Sequence, residues 1–271
     1  MPILNVRTLL IIVAGTVCAP ALSQTLDPLS VTSLRLNIRH DDTEIGVATG
    51  FVVEKANKRY LITNRHVVLM CTLDANPGNV GGWICANKLT ILHNRLNHLG
   101  QWVRVVEDLY DEKNTKRWLE HPTLGASVDL VALPLQKTDD VQFYPLDMEL
   151  RRADIVVGPA DPVSIVGFPF GLAQDGGLPV WKTGTVASDL DINIRGKPVF
   201  LVDTTSRPGM SGAPVYAVRS GAFRSADGTL KTALNGSARR FLGVYSEQIL
   251  AAELGGVWKA EVLAALYDSL K

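Results

Sequence analysis

The chain has 271 residues, 46% of them apolar, and its 27 basic and 27 acidic residues give a formal net charge of zero. This size and composition suit a well-packed protein of one or two domains. Neutrality argues against nucleic acid as a partner, because neutralising phosphates takes a clear basic excess. No His, Cys and Asp residues have the spacing of a metal site, so we expect neither a metal nor a cofactor.

The first 23 residues have the pattern of an export signal. Arg7 supplies an early positive charge, Leu9 to Val17 is an apolar run, and Ala21-Leu22-Ser23 offers small residues at the cleavage spacing. The run is too short to span a bilayer comfortably. We predict a signal over residues 1–23, a secreted or periplasmic mature protein and no stable membrane association after cleavage. A retained anchor is the alternative.

Cys71 and Cys85 are the two cysteines that remain if Cys18 leaves with the signal. In the oxidising compartment that export implies, a cysteine pair is usually bridged. The segment between them contains Asn76-Pro77-Gly78-Asn79 and Gly81-Gly82, which can fold the chain back on itself. We predict a disulfide between Cys71 and Cys85, with two free thiols as the alternative.

Short strands separated by turns make up most of the chain, because runs rich in Val, Ile, Thr and aromatic residues alternate with Gly, Pro, Asn and Asp. The first set is Thr32–Arg39, Glu44–Val53, Tyr60–Thr63, Lys88–Leu92, Trp102–Val106 and Val128–Leu135. The second set is Pro162–Gly167, Val180–Ser188, Val199–Thr204, Ala213–Val218 and Phe241–Ser246. The polar stretch Gln136–Arg152 between the sets predicts two all-β halves, residues 24–143 and 144–271.

The C-terminus has a different period. Trp258, Val262, Leu266 and Leu270 recur every four residues, with charged residues between them. This pattern is typical of an amphipathic helix. We predict that the helix packs on the second half, and a partner-binding helix is the alternative.

Ser211 is the strongest candidate for a chemical role. It lies between Gly209 and Gly212, in a bend between two apolar runs. Glycines let a backbone turn sharply and approach a substrate closely. The N–H groups of Gly209 and Ser211 can point into one small space, which is the geometry of an oxyanion hole.

A serine nucleophile needs a base, usually a histidine, held by a third group. All five histidines precede Ser211, which excludes the esterase elbow, whose histidine follows its serine. His66 follows the apolar strand Tyr60–Thr63 and is the best base. Asp129 is a single acid in an apolar run, where an acid needs a fixed partner. We predict that His66 and Asp129 complete the site.

These residues lie in three blocks that occur in the order His, Asp, Ser. The blocks are Ala48-Thr-Gly-Phe with Leu61-Ile-Thr-Asn-Arg-His66, then Asp129-Leu-Val-Ala-Leu, then Gly209-Met-Ser-Gly-Ala-Pro-Val215. In this order they resemble the trypsin/chymotrypsin clan of serine proteases. Two further stretches, Ile165–Leu172 and Thr183–Ala187, are similar to the high-temperature-requirement periplasmic proteases. Residues 203–215 are also similar to the glutamyl endopeptidases.

The resemblance implies an all-β fold of two six-stranded antiparallel Greek-key barrels, chymotrypsin-like, to which the C-terminal helix is added. It implies an exported serine endopeptidase that hydrolyses polypeptides through His66, Asp129 and Ser211, with the Gly209 and Ser211 amides as the oxyanion hole. A catalytically silent domain of the same fold, used as a binding or scaffold module, is the alternative.

The chain departs from these families at two places. Met210 stands where self-activating digestive proteases have an aspartate that pairs with a newly cut N-terminus. We therefore expect export and folding to suffice for activity. We also expect no PDZ module after Ser246, in contrast to most high-temperature-requirement proteases.

The substrate pocket is predicted by offset from the nucleophile. Thr205 is placed at its floor, Tyr245 at the position of the histidine of the glutamyl enzymes, and Ser246 along its wall, where it can bond Asp129. A neutral Thr205 argues against cleavage after Arg or Lys, and Tyr245 argues against cleavage after Glu. Small or medium apolar residues are the remaining preference.

Overall fold

The computed structural model describes residues 26–74, 81–249 and 252–271. The predicted signal, Cys18 and the predicted turn at 76–79 lie outside these residues. The elements of the N-terminal half are α1 Pro28–Thr32, β1 Ser33–His40, β2 Thr43–Lys55, β3 Lys58–Thr63, α2 Arg65–Val68, β4 Cys71–Leu73, β5 Trp83–Cys85, β6 Lys88–Arg95, β7 His98–Asp108, β8 Leu119–Glu120, β9 Val131–Pro134 and β10 Val141–Gln142. Those of the C-terminal half are β11 Pro162–Gly167, β12 Val180–Val186, β13 Val199–Asp203, β14 Pro214–Arg224, β15 Leu230–Ile249, β16 Leu254–Lys259 and α3 Ala260–Ser269.

The N-terminal half forms one antiparallel sheet in the order β10-β6-β1-β2-β3-β9-β8, with β7 also paired to β6. Its six longer strands are the six that the sequence predicts. The predicted six-stranded barrel differs from this sheet in two respects, since eight strands take part and their hydrogen bonds do not close a ring. The additional strands, β8 and β10, have two residues each, which is too short for a periodic pattern.

The C-terminal half is a closed six-stranded barrel in the order β11-β12-β13-β16-β15-β14. The sequence predicts five of these strands and misses β16, which contains the pair Gly255-Gly256. Gly255 is needed because β16 packs closely on its neighbours: a Cβ at this position would collide with the ring of Tyr245. Trp258, predicted as the first apolar residue of the C-terminal helix, therefore belongs to β16, and α3 begins at Ala260.

The C-terminal helix is confirmed, but it covers both halves rather than the second alone. Its buried residues Leu263 and Leu266 share one core cluster with Phe51 of β2 and Phe241 of β15. The hydroxyl of Tyr267 in α3 donates to the main-chain oxygen of Glu54 at 2.9 Å. This shared core crosses the predicted division near residue 143, which stays a prediction. No helix of the described residues is long and apolar enough to cross a membrane.

A disulfide joins Cys71 and Cys85, as predicted. The two residues are also partners in the ladder of β4 and β5, a two-stranded sheet that follows directly after α2. The bridge therefore closes the loop that begins three residues after helix α2 ends.

Replacing both Cys71 and Cys85 by Ser is expected to lower the free energy of unfolding by about 3 kcal/mol, because the bridge restricts a loop of about 15 residues in the unfolded chain. Urea unfolding without reductant measures this. Reductant should bring the wild-type protein to the level of the double variant and leave the variant unchanged. An equal stability of the two proteins without reductant would contradict the prediction.

Candidate active site

His66 lies in α2, the short helix at the end of strand β3. The strand brings the chain out of the core, where Thr63 and Asn64 are fully buried. The side chain of Asn64 donates from Nδ2 to the main-chain oxygen of Asp129 at 2.8 Å. This bond ties the start of α2 to the segment that enters β9. It holds His66 and Asp129 side by side although 63 residues separate them.

Asp129 fixes His66 at two points. The main-chain N–H of His66 donates to Oδ1 at 2.8 Å, and Nδ1 donates to Oδ2 at 2.7 Å. Ser246 Oγ adds a third bond, to Oδ2 at 2.6 Å. Burial alone would raise the pKa of Asp129, but the hydrogen bonds and charge of His66, with the bond from Ser246, hold that pKa below its usual value. The group therefore stays a carboxylate at neutral pH, and Nε2 is left free to accept a proton.

The loop that carries Ser211 requires glycine on both sides. Gly209 has a φ of 95° and Gly212 a φ of 85°, in the left-handed region that side chains rarely adopt. A Cβ at Gly209 would collide with the main-chain oxygen of Phe168, and one at Gly212 with that of Thr49. The glycines seen in the sequence thus serve close backbone packing as well as the turn.

The N–H groups of Gly209 and Ser211 donate to no acceptor among the described residues. The peptide plane between Pro208 and Gly209 sets the orientation of the Gly209 N–H. Phe170 donates its N–H to Pro208 O at 2.6 Å, and in a trans peptide the carbonyl and the next N–H point in opposite directions. The Gly209 N–H therefore points away from Phe170. Two unpaired donors beside a serine are the arrangement that an oxyanion needs.

Thr49, in β2 of the N-terminal sheet, is hydrogen-bonded to the loop that carries Ser211. Its main-chain N–H donates to Ser211 O at 2.9 Å, and its hydroxyl donates to Gly209 O at 2.8 Å. The same hydroxyl accepts the N–H of Phe168 at 3.1 Å. Thr49 is fully buried. Thr49 lies in the sequence block Ala48-Thr-Gly-Phe, but its role could not be predicted, because its side-chain partners are more than a hundred residues away.

The hydroxyl of Ser211 donates to the main-chain oxygen of Ser246 at 3.1 Å. No hydrogen bond joins Ser211 and His66 in this structure. Both residues, with Asp129, line one cavity of about 500 Å³. The hydroxyl has to turn from the Ser246 carbonyl towards the imidazole before a proton can pass between them.

Two of the three predicted pocket residues line the cavity, and the third does not. Tyr245 and Ser246 line the 500 Å³ cavity, but Thr205 does not, and Ser206 lines it instead. The reason is the alternation of an extended segment, in which Thr204 and Ser206 are buried and Thr205 points to solvent. The ring of Tyr245 occupies the space that the missing side chain of Gly255 leaves. Burial raises the pKa of Tyr245, so its hydroxyl stays neutral.

Comparison with known proteins gives one family. Residues 48–223, more than half of the chain, match the family model described as a trypsin-like peptidase domain. No curated protein sequence matches the chain at a significant level.

Solved structures with a similar fold include a serine endoprotease from Yersinia pestis, with 13% identity and a TM-score of 0.49. The similarity covers 88% of this chain and 62% of the Yersinia chain, so this chain spans less than two thirds of its length. The active form of the Rv3671c protease from M. tuberculosis has 16% identity, a TM-score of 0.47 and coverage of 87% and 79%. Its inactive form has 18% identity, a TM-score of 0.42 and coverage of 87% of both chains.

Thr49→Val is expected to lower the free energy of unfolding by about 2 kcal/mol more than Thr49→Ser, because valine leaves the buried Gly209 O and Phe168 N–H unpaired while serine can keep both bonds. Urea unfolding of the two variants measures the difference. Equal stability of the two would show that the hydroxyl does not hold the loop.

Proposed function

The chain belongs to the trypsin-like peptidase family, and we propose that it is an exported serine endopeptidase with His66, Asp129 and Ser211 as its catalytic triad. The observation that carries the proposal is the double hydrogen bond between Asp129 and His66 at the cavity that Ser211 also lines. A partly buried carboxylate that bonds an imidazole, together with a serine and the two unpaired N–H groups of Gly209 and Ser211, supplies the parts that acyl transfer requires.

The reaction follows from the roles that these atoms can take. Ser211 Oγ attacks the carbonyl carbon of the scissile bond as Nε2 of His66 takes its proton. The negative charge that develops on the carbonyl oxygen is stabilised by the N–H groups of Gly209 and Ser211. The imidazolium, stabilised by Asp129, then protonates the leaving amine, and water hydrolyses the acyl-enzyme by the same route. These steps call for no metal and no cofactor.

Met210 supports the idea that no second processing cut is needed. Its side chain is 1% exposed and packs in an apolar cluster with Ala213 and Val163. The Ser211 loop is thus supported by apolar packing, where an aspartate would need a cationic partner. We propose that folding alone forms the oxyanion hole.

The cleavage preference follows from the cavity. Its lining includes Ser206, Tyr245 and Trp258. Because two of these three side chains are large rings and none of the three is charged, small or medium apolar residues fit best. Export to the periplasm or the medium is proposed from residues 1–23.

A fluorophosphonate probe is expected to label the wild-type protein at Ser211, because the probe reacts with a serine that a base activates. Ser211→Ala should abolish labelling and lower kcat for peptide hydrolysis by about 10⁶. Ser220→Ala, at an exposed serine of β14, is the matched control. Mass spectrometry of the labelled peptide identifies the site. A folded wild-type protein that takes up no label would favour the silent scaffold module.

Asp129→Asn is expected to lower kcat by about 10⁴, because an amide that donates to Nδ1 leaves the proton of the imidazole on the wrong nitrogen. Steady-state kinetics with one peptide substrate measures this. Asp139→Asn, at an exposed aspartate, should leave kcat unchanged. A loss below tenfold for Asp129→Asn would show that another acid orients His66.

A further inference from the structure

A second cavity, of about 220 Å³, lies on the outer face of the N-terminal sheet. Its lining residues are Arg35, Asn37, Arg39, Glu44, Thr90, Leu92 and Arg104. Arg35, Leu92 and Arg104 are direct neighbours across β1, β6 and β7. Neighbouring strands are about 4.8 Å apart, so the backbones of the two arginines are about 10 Å apart. Two long side chains at this spacing can meet above Leu92 around one small anion.

Neither arginine has a partner. The side chains of Arg35 and Arg104 form no hydrogen bond or ion pair with the described residues, and Arg35 Nε is buried. Thr90, which is 7% exposed, also has a buried hydroxyl without a partner. Buried polar groups are nearly always hydrogen-bonded. Arg35 Nε and the Thr90 hydroxyl are therefore two buried donors without an acceptor at one cavity, and a ligand with oxygen acceptors would satisfy them.

The remaining charges of this cavity do not neutralise the two arginines. Glu44 is its one acidic residue, and it accepts a bond from Asn37 Nδ2 at 2.5 Å. Arg39 is held by the main-chain oxygens of Asp41 and Asp42. Arg35 and Arg104 thus leave an excess of positive charge, which one carboxylate can compensate through charge-assisted hydrogen bonds.

The second cavity adjoins the oxyanion loop through Gly171. A Cβ placed on Gly171 would lie 3.2 Å from Arg35 Nη2, and one placed on Gly209 would lie 3.3 Å from Gly171 N. Gly171 thus contacts both the arginine and the loop that carries the oxyanion donors. Neither Arg35 nor Gly171 lines the 500 Å³ cavity, so the two cavities are separate. A peptide with its acyl side chain in the larger cavity can extend past Gly209 towards Arg35.

We propose that Arg35 and Arg104 bind an acidic side chain of the polypeptide substrate on the leaving-group side of the scissile bond, with Thr90 as a further donor. The inference rests on the proposed protease function. It adds a preference for glutamate or aspartate after the cleaved bond to the small-residue preference before it.

The test uses internally quenched peptides that the enzyme cleaves, with Glu or Gln at each of the first four positions after the scissile bond. At one position, Glu is expected to raise kcat/KM by about tenfold over Gln, as suits a charge-assisted contact. Arg104→Gln and Arg35→Gln should bring this ratio close to one, because they lower kcat/KM for the Glu peptide more than for the Gln peptide. High salt should also reduce the ratio.

Arg224→Gln is the matched control, since Arg224 is exposed and lies in β14 of the other half. Its Glu/Gln ratio should equal that of the wild type. Arg104 is also exposed, so its variant tests the proposal even if Arg35→Gln fails to fold.

Three results would overturn the proposal. If the Gln peptides are cleaved and Glu gives no advantage at any position, the subsite is wrong while the protease function stands. If inorganic sulfate binds the wild type but not Arg104→Gln, and Glu and Gln peptides are still cleaved equally, the cavity binds free anions instead. If no peptide is cleaved and Ser211 takes up no fluorophosphonate, the proposed function itself fails, and the substrate subsite fails with it.

Discussion

The arrangement of His66, Asp129 and Ser211 depends on one contact between the two halves of the molecule, the set of hydrogen bonds made by Thr49. From β2 of the N-terminal sheet, Thr49 bonds the carbonyl oxygens of Gly209 and Ser211 and accepts the N–H of Phe168. His66 lies just after β3 and Asp129 just before β9, two strands of the same sheet as Thr49. The contact therefore sets the position of Ser211 relative to His66. Because Thr49 is fully buried, water cannot compete for these bonds.

A second constraint is the desolvation of Asp129. A partly buried carboxylate is costly unless its charge is satisfied, and here the donors are His66 from the first half and Ser246 from the second. The bonds that satisfy the carboxylate also orient the imidazole. Arg35 and Arg104 differ from Asp129 in this respect, since their charges have no partner within the described protein.

The strands that could be predicted are those with several alternating apolar residues, such as Glu44–Val53, which lies in β2. Those that were missed are two or three residues long, like β4, β5, β8 and β10, or contain a glycine pair, like β16. In β16 the glycines admit the Tyr245 ring. Triad candidates were found because a nucleophilic serine between glycines and a lone acid in an apolar run are unusual locally. Thr205 does not line the 500 Å³ cavity, because counting residues from Ser211 does not reveal which side of an extended segment faces the cavity.

The sequence by itself determined the all-β class, the cysteine pair, the C-terminal helix and the candidates His66, Asp129 and Ser211. Each of these depends on residue types, their local spacing and their order along the chain. Only the tertiary structure decided that Thr49 bonds the carbonyl oxygen of Gly209, that Ser206 rather than Thr205 lines the 500 Å³ cavity and that Arg35 adjoins Gly171. These contacts join residues far apart in the chain, and the packing of one half on the other creates them.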